Sequence, residues 1–164
     1  LELGSPVAIR YPKESSAEER EVAPYGETLW ERIKIGEKYK ILAVGPDMLA
    51  LADEFAKNHD GAGVISARTV KPLDEKTLAE ISELPIIALE ENSVIGGFGD
   101  AVRRAVSRLC GGKPKNKIIT LGVKDAFTRH GSANRQREEN GLCEKQLEAI
   151  VLSFKENRTS GDYE

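Results

Sequence analysis

Two adjacent carboxylates, Glu90 and Glu91, stand just before a glycine-rich turn that contains Gly96, Gly97 and Gly99. Backbone N–H groups at the start of a helix attract anions, so such a turn can hold a phosphate. Its spacing matches neither of the glycine motifs with a known phosphate-binding mechanism, and the carboxylates would repel a phosphate. We therefore expect these glycines to let the helix, the turn and the neighbouring backbone approach one another closely.

The chain offers few groups for acid–base or nucleophilic catalysis. Adjacent residues on a strand point to opposite faces, so Glu90 and Glu91 cannot serve one substrate atom together; we expect Glu91 to be a helix-end or interface carboxylate. His130 could act as an acid or base, but a base needs an orienting group. We expect it instead to hydrogen-bond a neighbouring element. The G-x-S-x-G and H-E-x-x-H motifs are absent from the sequence, and we predict no catalytic, cofactor-binding or metal-binding residue.

Arg10 is the candidate ligand-binding residue. It lies in a short β-prone run, 7–11, that can hold it rigidly, and the donors of its guanidinium suit a phosphate or carboxylate. A lone arginine is more often a partner in a surface salt bridge. The residue types alone leave both interpretations open.

Composition indicates an ordinary globular domain. The 164 residues are 40% hydrophobic and 31% charged, with a net charge of −3 and no basic stripe that would favour nucleic acid. No apolar run is long enough to cross a membrane. The two cysteines, Cys110 and Cys143, lie far apart, which favours a reducing, cytoplasmic compartment. The chain starts at Leu1 without a methionine, and we expect it to be a piece of a longer protein.

Hydrophobic periodicity predicts strands and helices in alternation. Proline at Pro46, a cap at Asp74 and a cap at Ser132 mark three helix starts, and a fourth helix places Phe98, Ala101, Val102, Ala105, Val106 and Leu109 on one stripe. A final helix carries Leu147, Ile150, Val151 and Phe154. The predicted strands are 30–35, 39–44, 64–67, 86–89 and 117–121.

Such alternation predicts an α/β fold, a three-layer sandwich around a mostly parallel sheet of about five strands. The strand at Trp30 is expected to be its antiparallel edge. We divide the chain into the end of a preceding domain (1–12), a charged linker (13–28), the main domain (29–157) and a frayed polar tail (158–164).

The order of several short motifs resembles one enzyme family up to about Lys155. They are G-S-P-V-A-I-R-Y-P (4–12), I-L-A-V-G (41–45), S-A-R-T-V-K-P-L-D (66–74), E-E-N (90–92), G-G-F-G (96–99), L-G-V (121–123), H-G-S (130–132) and N-G-L (140–142). The order resembles that of the 1-deoxy-D-xylulose-5-phosphate synthases, which are transketolase-like thiamine diphosphate enzymes. The main domain would then be a transketolase-type C-terminal domain, and 1–12 would end the pyrimidine-binding domain.

The resemblance implies a homodimeric transferase that condenses pyruvate with D-glyceraldehyde 3-phosphate and releases CO2. Its product would feed isoprenoid, thiamine and pyridoxal synthesis. Thiamine diphosphate and Mg²⁺ would be bound by the preceding domains. The family's R-Y-P arginine, here Arg10, helps to hold the phosphate of the aldehyde substrate. The family commonly continues R-Y-P-R-G, whereas this chain has Lys13 and Glu14, which changes the loop beside that phosphate.

Other assignments remain open. The motif V-K-P-L-D also occurs in transketolases and in the beta subunits of 2-oxoacid dehydrogenases, and a stand-alone α/β binding or regulatory module is a further alternative. As a piece of a synthase, the chain is expected to be structural, dimerising and inactive alone. The turn 96–99 and the loop 129–132 are its expected contact surfaces.

Overall fold

A computed structural model describes residues 4–9 and 29–159, with side chains through Phe154. Its centre is one sheet of five strands in the order β1-β3-β2-β4-β5. The strands are β1 (Glu31–Lys34), β2 (Tyr39–Ala43), β3 (Ala62–Ser66), β4 (Ile86–Ser93) and β5 (Ile118–Val123). β1 runs antiparallel to β3 at one edge and the other pairs are parallel, which confirms the predicted sheet and its edge.

Helices cover both faces of this sheet. They are α1 (Pro46–Lys57), α2 (Glu75–Ile81), α3 (Phe98–Leu109), α4 (Ala133–Glu139) and α5 (Glu144–Thr159). The described helices include none that is long and apolar enough to span a membrane. α5 continues through Thr159, two residues into the segment predicted as a tail.

The core lies in two layers, one on each face of the sheet. Alternate residues of β2 contribute to each layer: Ile41 packs with α1 and α5, whereas Leu42 packs with α2 and α3. Because a strand directs successive side chains to opposite faces, a nearly continuous apolar run is required where both faces are covered. The three-layer sandwich is confirmed.

Local capping signals place the helix starts as predicted. Asp74 Oδ1 accepts a hydrogen bond from the Thr77 N–H at 2.9 Å, and Ser132 Oγ accepts one from the Arg135 N–H at 3.4 Å. Each of these bonds satisfies one of the N–H groups that lack a partner in the first turn of a helix.

The ends of β1, β2, β3 and β5 differ from the prediction by one or two residues, and β4 and α3 differ in other ways. β4 does not stop at Leu89 but runs to Ser93, because its pairing with β5 resumes there after an irregularity in register. In α3, Leu109 is 41% exposed, and Cys110 packs against the core in its place. At the end of this helix, the residue that faces the core is therefore Cys110 and not the predicted Leu109.

The predicted strand 7–11 is not formed over its described residues. Val7 and Ile9 belong to no strand and are 46% and 69% exposed. A strand needs a hydrogen-bonded neighbour, and no described strand pairs with this segment. Arg10 and the linker 13–28 lie outside the described residues.

We predict that Tyr39→Phe leaves stability at pH 7 unchanged within about 1 kcal/mol, or raises it, because the buried Tyr39 hydroxyl has no hydrogen-bond partner among the described residues. Burial raises the pKa of Tyr39 to about 12. The unfolded chain ionises this tyrosine first, so the wild-type protein loses stability as pH rises from about 10 towards 12. Urea unfolding across that range should show a smaller loss for Tyr39→Phe. An equal alkaline loss in both proteins would contradict the assignment.

Candidate functional site

The carboxyl ends of the parallel strands form the edge of the sheet where α/β proteins place ligands and partners. A groove of about 620 Å³ lies there, between the segment after β3 and the segment after β4. Val70, Leu73 and Ile95 line it together with Phe98 and the turn 96–97. Ile95 is 64% exposed, so the groove presents an apolar surface at this edge.

Glu90 determines the geometry of this edge. Its side chain is fully buried, and its carboxylate accepts hydrogen bonds from the backbone N–H groups of Phe98 and Gly99, both at 2.8 Å. These are the first N–H groups of α3, where the helix dipole favours a negative charge. The position that a phosphate would take is therefore occupied by a carboxylate of the chain itself, and Glu90 serves the helix start rather than acid–base chemistry.

Gly97 and Gly99 are required by close contact with Glu90, Ser93 and β5, whereas Gly96 has a positive φ of 69° and a Cβ there would meet nothing within 4 Å. A Cβ atom at position 97 would overlap the Glu90 carboxylate and the Ser93 carbonyl oxygen, and one at position 99 would overlap the Thr120 side chain. The expected close approach of the turn and the helix to their neighbours is confirmed at Gly97 and Gly99, and not at Gly96.

Asp100 closes the same turn from the first turn of α3. Its Oδ2 accepts a hydrogen bond from the Gly96 N–H at 2.7 Å, while Oδ1 accepts one from Arg103 at 2.7 Å. The Gly96 N–H, with smaller contributions from Arg103 and Arg104, holds the pKa of Asp100 below its ordinary value. The turn is thus fixed by carboxylates at both ends.

Glu91 points away from Glu90, as predicted, and joins a second polar cluster. The Arg137 guanidinium donates from Nε to Glu91 Oε1 at 2.8 Å and from Nη2 to Asp47 Oδ2 at 2.9 Å. Arg137 is only 19% exposed and belongs to the last turn of α4, whereas Asp47 lies in the first turn of α1. One side chain therefore connects β4, α1 and α4.

Nothing in the sequence pattern distinguishes Arg137. Its partners are 46 and 90 residues away along the chain, beyond the reach of any local motif. α4 has no buried residue, so polar contacts carry its attachment to the domain. The one sequence signal for this polar attachment is that α4 lacks an amphipathic stripe.

The loop between β5 and α4 projects into solvent. His130 is exposed and forms no hydrogen bond within the described part of the chain, so the expected contact with a neighbouring element is not made. Without such a contact it also lacks the group that would orient a base. Phe127 in the same loop is fully exposed.

Arg68 is a cation at the carboxyl edge that the sequence pattern did not single out. It lies two residues after the end of β3, and the backbone before it pairs with β2, since the Ala67 N–H donates to the Ala43 carbonyl oxygen at 2.8 Å. This places Arg68 where a guanidinium can reach an anion above the sheet. Among the described residues, no group of three or more His, Cys, Asp or Glu side chains is arranged to hold a metal ion.

Comparison with known proteins gives a consistent assignment. The profile of the family described as "Transketolase, C-terminal domain" matches residues 30–147. A 1-deoxy-D-xylulose-5-phosphate synthase of Thermus thermophilus is 38% identical over 87% of this chain and 23% of its own length. One from Carboxydothermus hydrogenoformans is 36% identical over 95% of this chain and 25% of its length. One from Aquifex aeolicus is 35% identical over 90% of this chain and 24% of its own length.

A solved structure agrees with this assignment. It is a chain titled "Split gene transketolase, inactive beta4 tetramer", with a TM-score of 0.64 and 29% identity, and the match covers 76% of this chain and 41% of that one. The chain spans about a quarter of the length of the curated relatives it matches.

Glu90→Gln should lower the free energy of unfolding by about 2–4 kcal/mol, because glutamine retains one acceptor and turns an amide donor towards a buried N–H. The matched control is Glu91→Gln, which weakens only a partly exposed ion pair and should cost about 1 kcal/mol or less. Urea unfolding measures both variants, and hydrogen exchange at the Phe98 and Gly99 amides should accelerate only in Glu90→Gln. Equal losses in the two variants would contradict this role for Glu90.

The hydrogen bond between Asp100 and Gly96 should persist to unusually low pH. A carboxylate whose pKa is lowered on folding stabilises the folded turn above its unfolded pKa, and this contribution is lost as pH falls through the folded pKa. In an NMR titration, the Gly96 amide shift should change with a midpoint below the usual aspartate value of about 3.9. Asp100→Asn should abolish the transition, and a midpoint at or above the usual value would contradict the account.

Proposed function

The chain belongs to the transketolase C-terminal domain family, and from this premise we propose that it is the carboxyl-terminal part of a 1-deoxy-D-xylulose-5-phosphate synthase. The observation that carries the proposal is the shared name of relatives from three organisms, each 35–38% identical over most of this chain. The motif order from Arg10 to the N-G-L at 140–142 supports the same assignment.

The parent protein would condense pyruvate with D-glyceraldehyde 3-phosphate and release CO2, with thiamine diphosphate and Mg²⁺ as cofactors. The described residues do not fit these cofactors: Glu90, the deeply buried carboxylate, is used by the start of α3, and no described cluster suits a metal ion. We therefore assign the cofactor ligands to the rest of the parent. A cytoplasmic homodimer is part of the proposal.

Within the parent, this domain would supply a docking surface rather than reacting groups. The carboxyl edge of the sheet exposes Val70 and Ile95 beside the groove, and Phe127 extends fully exposed from the next loop. Apolar side chains presented in this way are typical of surfaces that pack against another domain or subunit. We propose that the turn 96–99 and the loop 129–132 belong to this contact surface, and that the chain is catalytically inactive alone.

Arg10 is proposed to bind the phosphate of the aldehyde substrate. Arg68 is a candidate second donor, because it extends from the carboxyl end of a central strand and its fixed fork of N–H groups matches a phosphate. Arg68 would then contribute to phosphate binding from the edge where parallel sheets place ligands.

Full-length parent protein provides the test. With thiamine diphosphate, Mg²⁺ and pyruvate, addition of D-glyceraldehyde 3-phosphate should yield deoxyxylulose phosphate together with CO2. Arg10→Ala should lower kcat/KM for the phosphorylated aldehyde about tenfold or more, since a charge-assisted hydrogen bond contributes about 1.5–3 kcal/mol. Unphosphorylated D-glyceraldehyde should be used equally well by both proteins.

The control variant is Arg32→Ala, which removes an exposed arginine from the edge strand β1 and should leave the kinetics unchanged. An equal loss with both aldehydes would overturn the phosphate role of Arg10. Absence of deoxyxylulose phosphate would move the assignment to a transketolase or to a dehydrogenase beta subunit, while the family membership would stand.

A further inference from the structure

The outer surface of α3 and the loop after it carry a concentration of positive charge. Residues 101–123 contain six cations and no carboxylate, in a chain whose net charge is −3. The six are Arg103, Arg104, Arg108, Lys113, Lys115 and Lys117. Arg103, Arg104 and Arg108 lie on the exposed side of α3, since Val102, Ala105 and Val106 occupy the buried side.

Three of these cations form ion pairs within the described residues, and a fourth, Arg104, is close enough to Asp100 to lower the pKa of that carboxyl. Arg103 pairs with Asp100 at 2.7 Å, Arg108 pairs with Glu75, and Lys115 pairs with Glu83. Within the part of the chain that the structure describes, Arg104, Lys113 and Lys117 form no ion pair. Arg104 lies between Arg103 and Arg108 on the exposed side of the helix, and an anion bound there would be attracted by all three guanidiniums.

A depression of about 510 Å³ lies beside the three arginines of this group. Its walls are Arg103, Arg104 and Arg108, with Ser107 between them and Gly111 and Gly112 at one end. Side chains at i, i+3 and i+4 lie on one face of a helix, which brings Arg104, Ser107 and Arg108 together. The two glycines leave their end of the depression open.

The Arg103 side chain in the wall of the depression is held in place by two hydrogen bonds. The Arg103 guanidinium donates to Asp100 Oδ1 and, at 3.2 Å, to Thr120 Oγ1, so its remaining donors are held in a fixed direction. Among the described residues, none accepts a hydrogen bond from the Arg104 guanidinium, and Arg108 donates to Glu75. Guanidinium forks match phosphate oxygens in a bidentate manner.

We propose that this depression is a binding site for a small anion that carries a diphosphate group, held by Arg103, Arg104, Arg108 and the Ser107 hydroxyl. A compact anion of high charge can accept hydrogen bonds from several guanidinium forks at once. The site lies on α3, on its solvent face, and does not depend on the function proposed for the carboxyl edge.

The test is an NMR titration of the purified 164-residue chain with sodium pyrophosphate at constant ionic strength. We expect saturable shifts at the amides of Arg104, Ser107 and Gly111. Arg104→Ala should weaken binding at least fivefold. Glu75→Gln should strengthen it, because Arg108 is released, and a merely structural arginine cluster would not respond in this way.

Lys145→Ala is the matched control, since it removes one exposed cation from α5 on the opposite face of the sheet. The affinity of this variant for pyrophosphate should equal that of the wild type. Shifts that do not saturate, or that are equal in Arg104→Ala and the wild type, would overturn the proposal. Shifts that appear with polyglutamate and not with pyrophosphate would overturn it in favour of an acidic macromolecule.

Discussion

The architecture of this domain depends on one buried carboxylate at the end of a central strand. Removing Glu90 from water is costly, and the two N–H groups at the start of α3, together with the dipole of that helix, offset the cost. The bonds fix where α3 begins. Phe98 then packs edge-on against Trp30, with ring centroids 5.7 Å apart, and Trp30 donates to Thr69 and Asp74. These contacts thereby link four parts of the domain: the end of β4, α3, Trp30 at the start of β1 and the cap of α2.

This arrangement explains why the glycine-rich turn is a structural element and not a phosphate site. The helix start is already satisfied by the chain, and Asp100 closes the turn from the other side. The result is a rigid edge that presents apolar side chains such as Ile95, while Arg137 secures α4 beside it through Glu91 and Asp47. Such an edge is suited to packing against the rest of a larger enzyme, which is the role that we propose.

Elements that are determined locally could be predicted from the sequence. The cap at Asp74, the cap at Ser132 and the apolar runs of β2 and β4 carry their own signals, so the five strands and the layers followed from them. Interactions over long separations could not be predicted. A carboxylate after Leu89 looks like the end of a strand unless its buried partners are known, and the partners of Arg137 come from distant segments. The exposure of His130 could not be predicted either, because it depends on how far its loop projects from the domain.

The most direct test of the central claim, that this domain supplies a surface and not reacting groups, is CO2 release from pyruvate. The purified 164-residue chain and the full-length parent would be assayed side by side with thiamine diphosphate, Mg²⁺ and D-glyceraldehyde 3-phosphate. Our account predicts CO2 and deoxyxylulose phosphate from the parent and neither from the chain. Turnover by the chain alone would contradict it.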